Sequence, residues 1–182
     1  MPRIAPITGK SDVPAEHHAV VDSVVSVFGG VRGPFSMLLH SPKLAERVLP
    51  LVTFFRDQSV VDGKLRSVAI LTAVREREAA YVWSAQVAAA RRNGLRDEVI
   101  DLLRAKGDPG KLPAEEREIV TYVRQLMRTN RVDQAAFAAL EKRHGAQWLV
   151  EMTVAANYFA MLSGLVNAFE VAAPPDGDKL PA

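Results

Sequence analysis

Apolar residues recur at helical spacing along almost the whole chain, while the period-two alternation of a half-buried strand is nearly absent. "DVPAEHHAVVDSVVSVFGG" predicts a helix with Pro14 near its start and Gly29-Gly30 after its end. "RGPFSMLLH" is a short apolar segment after that glycine turn. "SPKLAERVLPLVTFFRDQ" opens with Ser41 as N-cap and Pro42 at the first helical position, and Leu44, Val48, Leu51 and Phe55 follow at helical spacing. Pro50 inside that pattern predicts a kink or a break. "DGKLRSVAILTAVRERE" predicts a helix with Leu65, Val68, Ile70, Leu71 and Val74 as its apolar residues. "EAAYVWSAQVAAARRNGL" predicts another, closed by Asn93-Gly94.

The second half repeats the theme. "RDEVIDLLRAKGD" is a short amphipathic helix, "DPGKLP" a loop, and "AEEREIVTYVRQLMRTN" a helix with the acidic start its dipole favours. "VDQAAFAALEKRHG" is capped by Asp133 and closed by Gly145, and a last helix runs from about Gln147 to about Phe169. The reading is all-α, with about eight helices in one domain over residues 3–170 and a frayed tail over 171–182. The "EAAYVWSAQVAAARRNGL" helix and the last helix are apolar nearly all round, which predicts burial on more than one side and a homo-oligomer.

Composition narrows the chemistry. The 182 residues suffice to bury a core without disulfides or metals. A net charge of +2 identifies no nucleic-acid partner, and Arg91-Arg92 and Lys142-Arg143 read as solvated helix positions. There are no cysteines, which removes thiolate nucleophiles, disulfides and cysteine-ligated metals together. The apolar tract from Trp148 to Val166 holds Glu151, Asn157 and Ser163, so it reads as a buried helix and not a membrane span. With no apolar signal core at "MPRIAPITGK", a cytoplasmic location is expected.

Four scattered histidines lack the spacing of a metal site, and no phosphate-binding glycine loop is present, so neither metal nor cofactor is expected. His17 and His18 read as surface residues, and His144 as a cation at a helix end. His40 is either packed through one hydrogen bond or part of a pocket. Arg75, Glu76, Arg77 and Glu78 alternate as on a solvated face. Tyr81 and Trp83 are core or pocket wall, and Gln86 is a lone amide among alanines and valines, either satisfied by a partner or free to orient a ligand.

From Arg32 onward four stretches, "GGVRGPFSMLLHSPKLAERV", "KLRSVAILTAVRE", "YVWSAQVAAARRNGL" and "NYFAMLSGLVNAFEV", resemble in their order the carboxymuconolactone decarboxylase family, the alkylhydroperoxidase D-like all-helical fold. The resemblance implies that Ser67, Ala79, Val82 and Gln86 stand where the peroxidase branch carries a glutamate, two cysteines and a histidine. Every one of those functional groups is replaced, and the thiol-free branch's glutamate and histidine are missing as well. What remains implied is a pocket for a small organic acid or lactone, lined by Ser67, Ala79, Val82, Trp83 and Gln86, with His40 or Tyr81 as the groups left for proton transfer in a lyase-like reaction. The alternative is a non-catalytic binding or structural oligomer on the same fold. The family's assemblies imply a dimer, trimer or hexamer.

Overall fold

The computed structural model describes residues 2–181, and among them every regular element is helical. The helices are α1 (His18–Phe28), α2 (Pro34–Leu38), α3 (Pro42–Asp57), α4 (Gly63–Glu76), α5 (Ala80–Arg92), α6 (Asp97–Arg104), α7 (Ala114–Thr129) and α8 (Gln134–Ala168), with short 3-10 turns at Lys10–Asp12, Ala15–His17 and Pro109–Lys111.

The bundle is built around α4. Asp62 starts it by accepting hydrogen bonds from the amides of Lys64 (2.9 Å) and Leu65 (3.2 Å). Every residue from Ser67 to Arg75 is buried, so α4 has no solvent face and packs against α5, α6, α7 and α8. Its two central hydroxyls cost little there, because each bonds a carbonyl one turn back. Ser67 donates to Gly63 (2.8 Å) and Thr72 to Val68 (2.7 Å).

The end of α4 differs from the solvated face expected of its charges. Arg75 is buried and donates through Nε to the Arg104 carbonyl at 2.6 Å. The Glu76 side chain is only 8% exposed, and it lies between Arg128 (2.8 Å) and Arg124 (3.6 Å) of α7. Arg77 and Glu78 are the exposed members of the run. The alternation in sequence thus splits into two residues that tie α4 to its neighbours and two exposed ones, of which Glu78 still pairs with Arg75 and Lys106.

Other expectations resolve individually. α3 runs through Pro50 without a break, and Ser41 caps it through its backbone carbonyl alone, with amides of Leu44 and Ala45 at 2.9 and 3.0 Å. α8 is two helical arms joined at Gly145, whose φ of 82° interrupts the helical backbone where sequence placed a stop. Asp133 caps the first arm at the Ala136 amide (2.7 Å). The apolar second arm buries Trp148, Met152, Tyr158 and Phe159 in the core, so the most apolar tract of the chain is a core helix. Residues 171–181, expected to be frayed, form no helix but are tied to the body, where Asp178 pairs with Arg91 and Arg104.

Removing the Glu76 charge leaves Arg124 without its buried counter-ion. Glu76→Gln is expected to lower the free energy of unfolding by about 2–3 kcal/mol in urea titration, and Arg128→Ala, at a half-exposed position, by about 1 kcal/mol or less.

Candidate ligand-binding site

A cavity of about 630 Å³ lies between the outer side of α5 and helices α1, α3, α4 and α8. Its size suits a small organic ligand. The α5 wall presents Ala85, Ala88 and Ala89, and these short side chains leave the space a bulkier helix face would fill. Phe35, Phe55, Ile70, Phe159 and Leu162 supply the apolar walls opposite.

Two joints hold α5 in place. At its start, Gly33 (φ 58°, ψ −135°) lies flat against the Tyr81 ring, where a Cβ would come within 2.2 Å of a ring carbon. At its end, Asn93 donates through Nδ2 to the Gly63 carbonyl (3.2 Å) and to the Ser67 hydroxyl (3.0 Å). The Ser67 hydroxyl therefore accepts from Asn93 while donating to Gly63, and it is a strut between α4 and α5 and not a free nucleophile.

Of the residues singled out in the sequence, Ser67, Tyr81, Val82 and Gln86 line the cavity. Ala79 and Trp83 do not: both are fully buried, Ala79 accepting the Trp83 amide at 2.8 Å. Trp83 turns towards α6, with the Arg104 guanidinium 5.9 Å from its ring centre. His40 also lies elsewhere, exposed at the end of α2 with Nε2 bonded to the Ala5 carbonyl at 2.8 Å. The remaining histidines are equally remote, and His144 stacks on Trp148 with ring centres 3.9 Å apart. Burial lowers the His144 pKa from its ordinary value, against the pull of Glu115, which disfavours the helix-end cation expected there.

Among the described residues the Gln86 side-chain amide has no hydrogen-bond partner, so it is free to face a ligand from the α5 wall. Burial raises the Tyr81 hydroxyl above its ordinary pKa, with nearby Arg32 opposing, so it stays protonated at neutral pH and serves as a hydrogen-bond donor.

The groups that sequence reading missed are four arginines. Arg32, Arg56, Arg66 and Arg92 all line the cavity, and no aspartate or glutamate joins them. Arg56 is committed to Asp57 (2.9 Å), and Arg66 donates to the Val61 carbonyl (2.6 Å). Burial pulls Arg66 below the ordinary arginine value, against the pull of Asp62 and Asp57. Arg32 gives one bond to the Phe28 carbonyl (2.8 Å), and Arg92 pairs with no group among the described residues. Arg32 stands near Tyr81 at the start of α5 and Arg92 closes its last turn, so uncompensated positive charge flanks the apolar cavity at both ends. A helical projection of α5 finds part of this signal, since Arg92 follows Ala85 and Ala88 on one face.

This arrangement of helices is the alkylhydroperoxidase D-like, all-α fold. It is shared with the AhpD-core, uncharacterized peroxidase-related protein of Ralstonia eutropha JMP134, at a TM-score of 0.74 and 15% identity over 95% of each chain. A crystal structure of the debrominase Bmp8, a cysteine-to-alanine variant in complex with 2,3,4-tribromopyrrole, matches at 0.74 and 14% over 96% of this chain and 95% of that one. A putative antioxidant defence protein AhpD of unknown function from Agrobacterium tumefaciens matches at 0.65 and 17%, over 76% of this chain and 96% of that one. No family model matches the sequence, and no curated protein matches it. The fold is thus shared while the sequence has diverged, and a chain without cysteine has no thiol peroxidase chemistry.

Gly33 combines a positive φ with close contact on the Tyr81 wall. Gly33→Ala adds a Cβ against Tyr81 in a backbone region that favours glycine, so it is expected to lower unfolding stability by about 2–3 kcal/mol in urea titration. Tyr81→Ala in the same background is expected to recover part of that loss.

Proposed function

We propose that the protein binds a small organic acid or lactone in the α5 cavity, by means other than thiol chemistry. The observation that carries this reading is the lining itself: apolar walls, one unpartnered amide at Gln86, four arginines and no carboxylate. An acid group entering at either end meets Arg92 or Arg32 without displacing a protein carboxylate from it. The body of the ligand replaces water against Ile70, Phe55 and Leu162, and Gln86 offers both a donor and an acceptor to a carbonyl or lactone oxygen. The complex of the debrominase with 2,3,4-tribromopyrrole supports a small-molecule site on this scaffold.

A second reading, a binding protein without catalysis, is favoured by the proton inventory of the lining. Apart from the arginines, Tyr81 is the single ionisable lining residue among those described, and its pKa is raised. His40, the other candidate for proton transfer, is outside the cavity. A lyase-like reaction in this site therefore rests on Tyr81 as proton donor.

Homo-oligomerisation belongs to the same proposal. Val150, Val154 and Met161 form an exposed apolar stripe on α8, at 61%, 44% and 48% exposure. Native mass spectrometry is expected to show a dimer, trimer or hexamer, and a monomer in dilute buffer would exclude it.

The ligand test compares acids with their methyl esters. An aryl or alicyclic acid that fits is expected to raise the melting temperature, its neutral ester to bind about tenfold more weakly, and Arg92→Ala to remove most of that difference. Equal binding of acid and ester would overturn the anionic reading. Release of a stoichiometric small molecule on denaturing gently purified protein would name the compound class directly.

A further inference from the structure

The last residues of the chain are attached to the body in an unusual way. The Val171 amide bonds the Val166 carbonyl at 2.9 Å and ends the backbone ladder of α8. From Ala172 to Pro181, among the described residues, no backbone group bonds to the rest of the protein, the Gly177 to Pro174 turn (3.1 Å) being internal to the segment. All polar attachment passes through one side chain. Asp178 accepts from Arg91 at 2.6 and 3.2 Å and from Arg104 at 3.1 Å, and it is 23% exposed.

The segment also belongs to the cavity. Pro174 is one of its lining residues. Gly177 presses on Ser84, another lining residue, so closely that a Cβ would stand 1.9 Å from the Ser84 hydroxyl oxygen. Two adjacent prolines, Pro174 and Pro175, stiffen the stretch between hinge and anchor. Arg91 is shared with Asp97 (2.8 Å) and Arg104 with Asp101, so both cations keep a partner when Asp178 leaves. Release therefore strands no cation, and the apolar side chains Val171 and Leu180 pack on the core only partly buried.

We propose that residues 172–181 are a strap across the edge of the cavity, latched by Asp178 on Arg91 and Arg104, which lifts to let a ligand pass. As a gate for a ligand, this rests on the reading of the cavity as a binding site. As a movement of the segment, it stands on the contacts just given and is testable without any ligand.

The absence of native cysteine supplies the test. In Ser84→Cys the only thiol of the chain lies under Gly177. With the strap latched, a nitrobenzoate disulfide reagent is expected to modify it far more slowly than the same chain unfolded in urea. Asp178→Asn in that background is expected to speed modification about five- to tenfold at an unchanged melting temperature. Salt at about 0.5 M should speed the parent and leave the Asp178→Asn protein unaffected, because an ion pair is screened at that strength. A thiol that reacts at the unfolded rate in the parent, or is indifferent to Asp178→Asn, overturns the strap. So does acceleration that only follows a large fall in melting temperature. Should Ser84→Cys not fold, tryptic cleavage after Lys179 in the otherwise native chain reads the same opening, again faster with Asp178→Asn. Acid binding that persists when Asp178→Asn has no effect on these rates overturns the strap and leaves the cavity reading intact. A released strap on a protein that discriminates no acid from its ester overturns the cavity reading instead.

Discussion

The structure depends on one helix having no outside. α4 is buried from Ser67 to Arg75, so four other helices must be arranged around it. That arrangement is possible because every buried polar side chain of α4 finds a partner, on its own helix or on a neighbour. Thr72 turns back onto its own helix, Ser67 does the same while receiving Asn93, and the charge at the C-terminal end is absorbed by α7 and the end of α6. A buried helix without these local bonds would lose about 1–3 kcal/mol for each stranded polar group.

The cavity follows from the way α5 meets this centre. One side of α5 inserts Val82, Trp83, Val87 and Ala90 into the core, which fixes the helix. The other side carries alanines and cannot fill the gap to α3 and α8. Gly33 against Tyr81 and Asn93 against Ser67 pin the two ends, so the helix cannot collapse into the space. The walls are thus set by packing, while the sign of the site is set by arginines arriving from the loop before α2, from α3, from α4 and from α5 itself.

The all-α fold was legible because helical period and caps agree along the chain. Asp133, Gly145 and the apolar run after it mark both arms of α8 in sequence as they stand in space. Positions drawn from family resemblance were legible in part: Ser67, Val82 and Gln86 reach the cavity, whereas Ala79 and Trp83 lie behind it. Trp83 could not be placed by spacing, since a helix with two apolar sides gives no sign of which one faces a void. Arg75 and Glu76 were hidden for a related reason, because alternating charges look alike whether their partners are water or another helix. The arginine group was beyond local pattern altogether. Its members come from four separate segments, and only the tertiary fold places them on one surface.

The same distinction bears on the chemistry of the cavity. At Ser67, Ala79, Val82 and Gln86 this chain has a hydroxyl already bonded twice, two aliphatic side chains and an amide. None of them ionises near neutrality, and without cysteine the chain has no thiol chemistry there. Charge is present in the cavity, but not at these positions. It lies instead in guanidinium groups, which stay protonated at neutral pH and hold anions without exchanging protons with them. On the proposed reading, an amide that neither gains nor loses a proton, set among guanidinium groups, would hold an acid with an affinity nearly constant across physiological pH. Under that proposal the lining orients its ligand through fixed charge, and Tyr81 is the one non-arginine ionisable group among the described lining residues that could take part in bond-making.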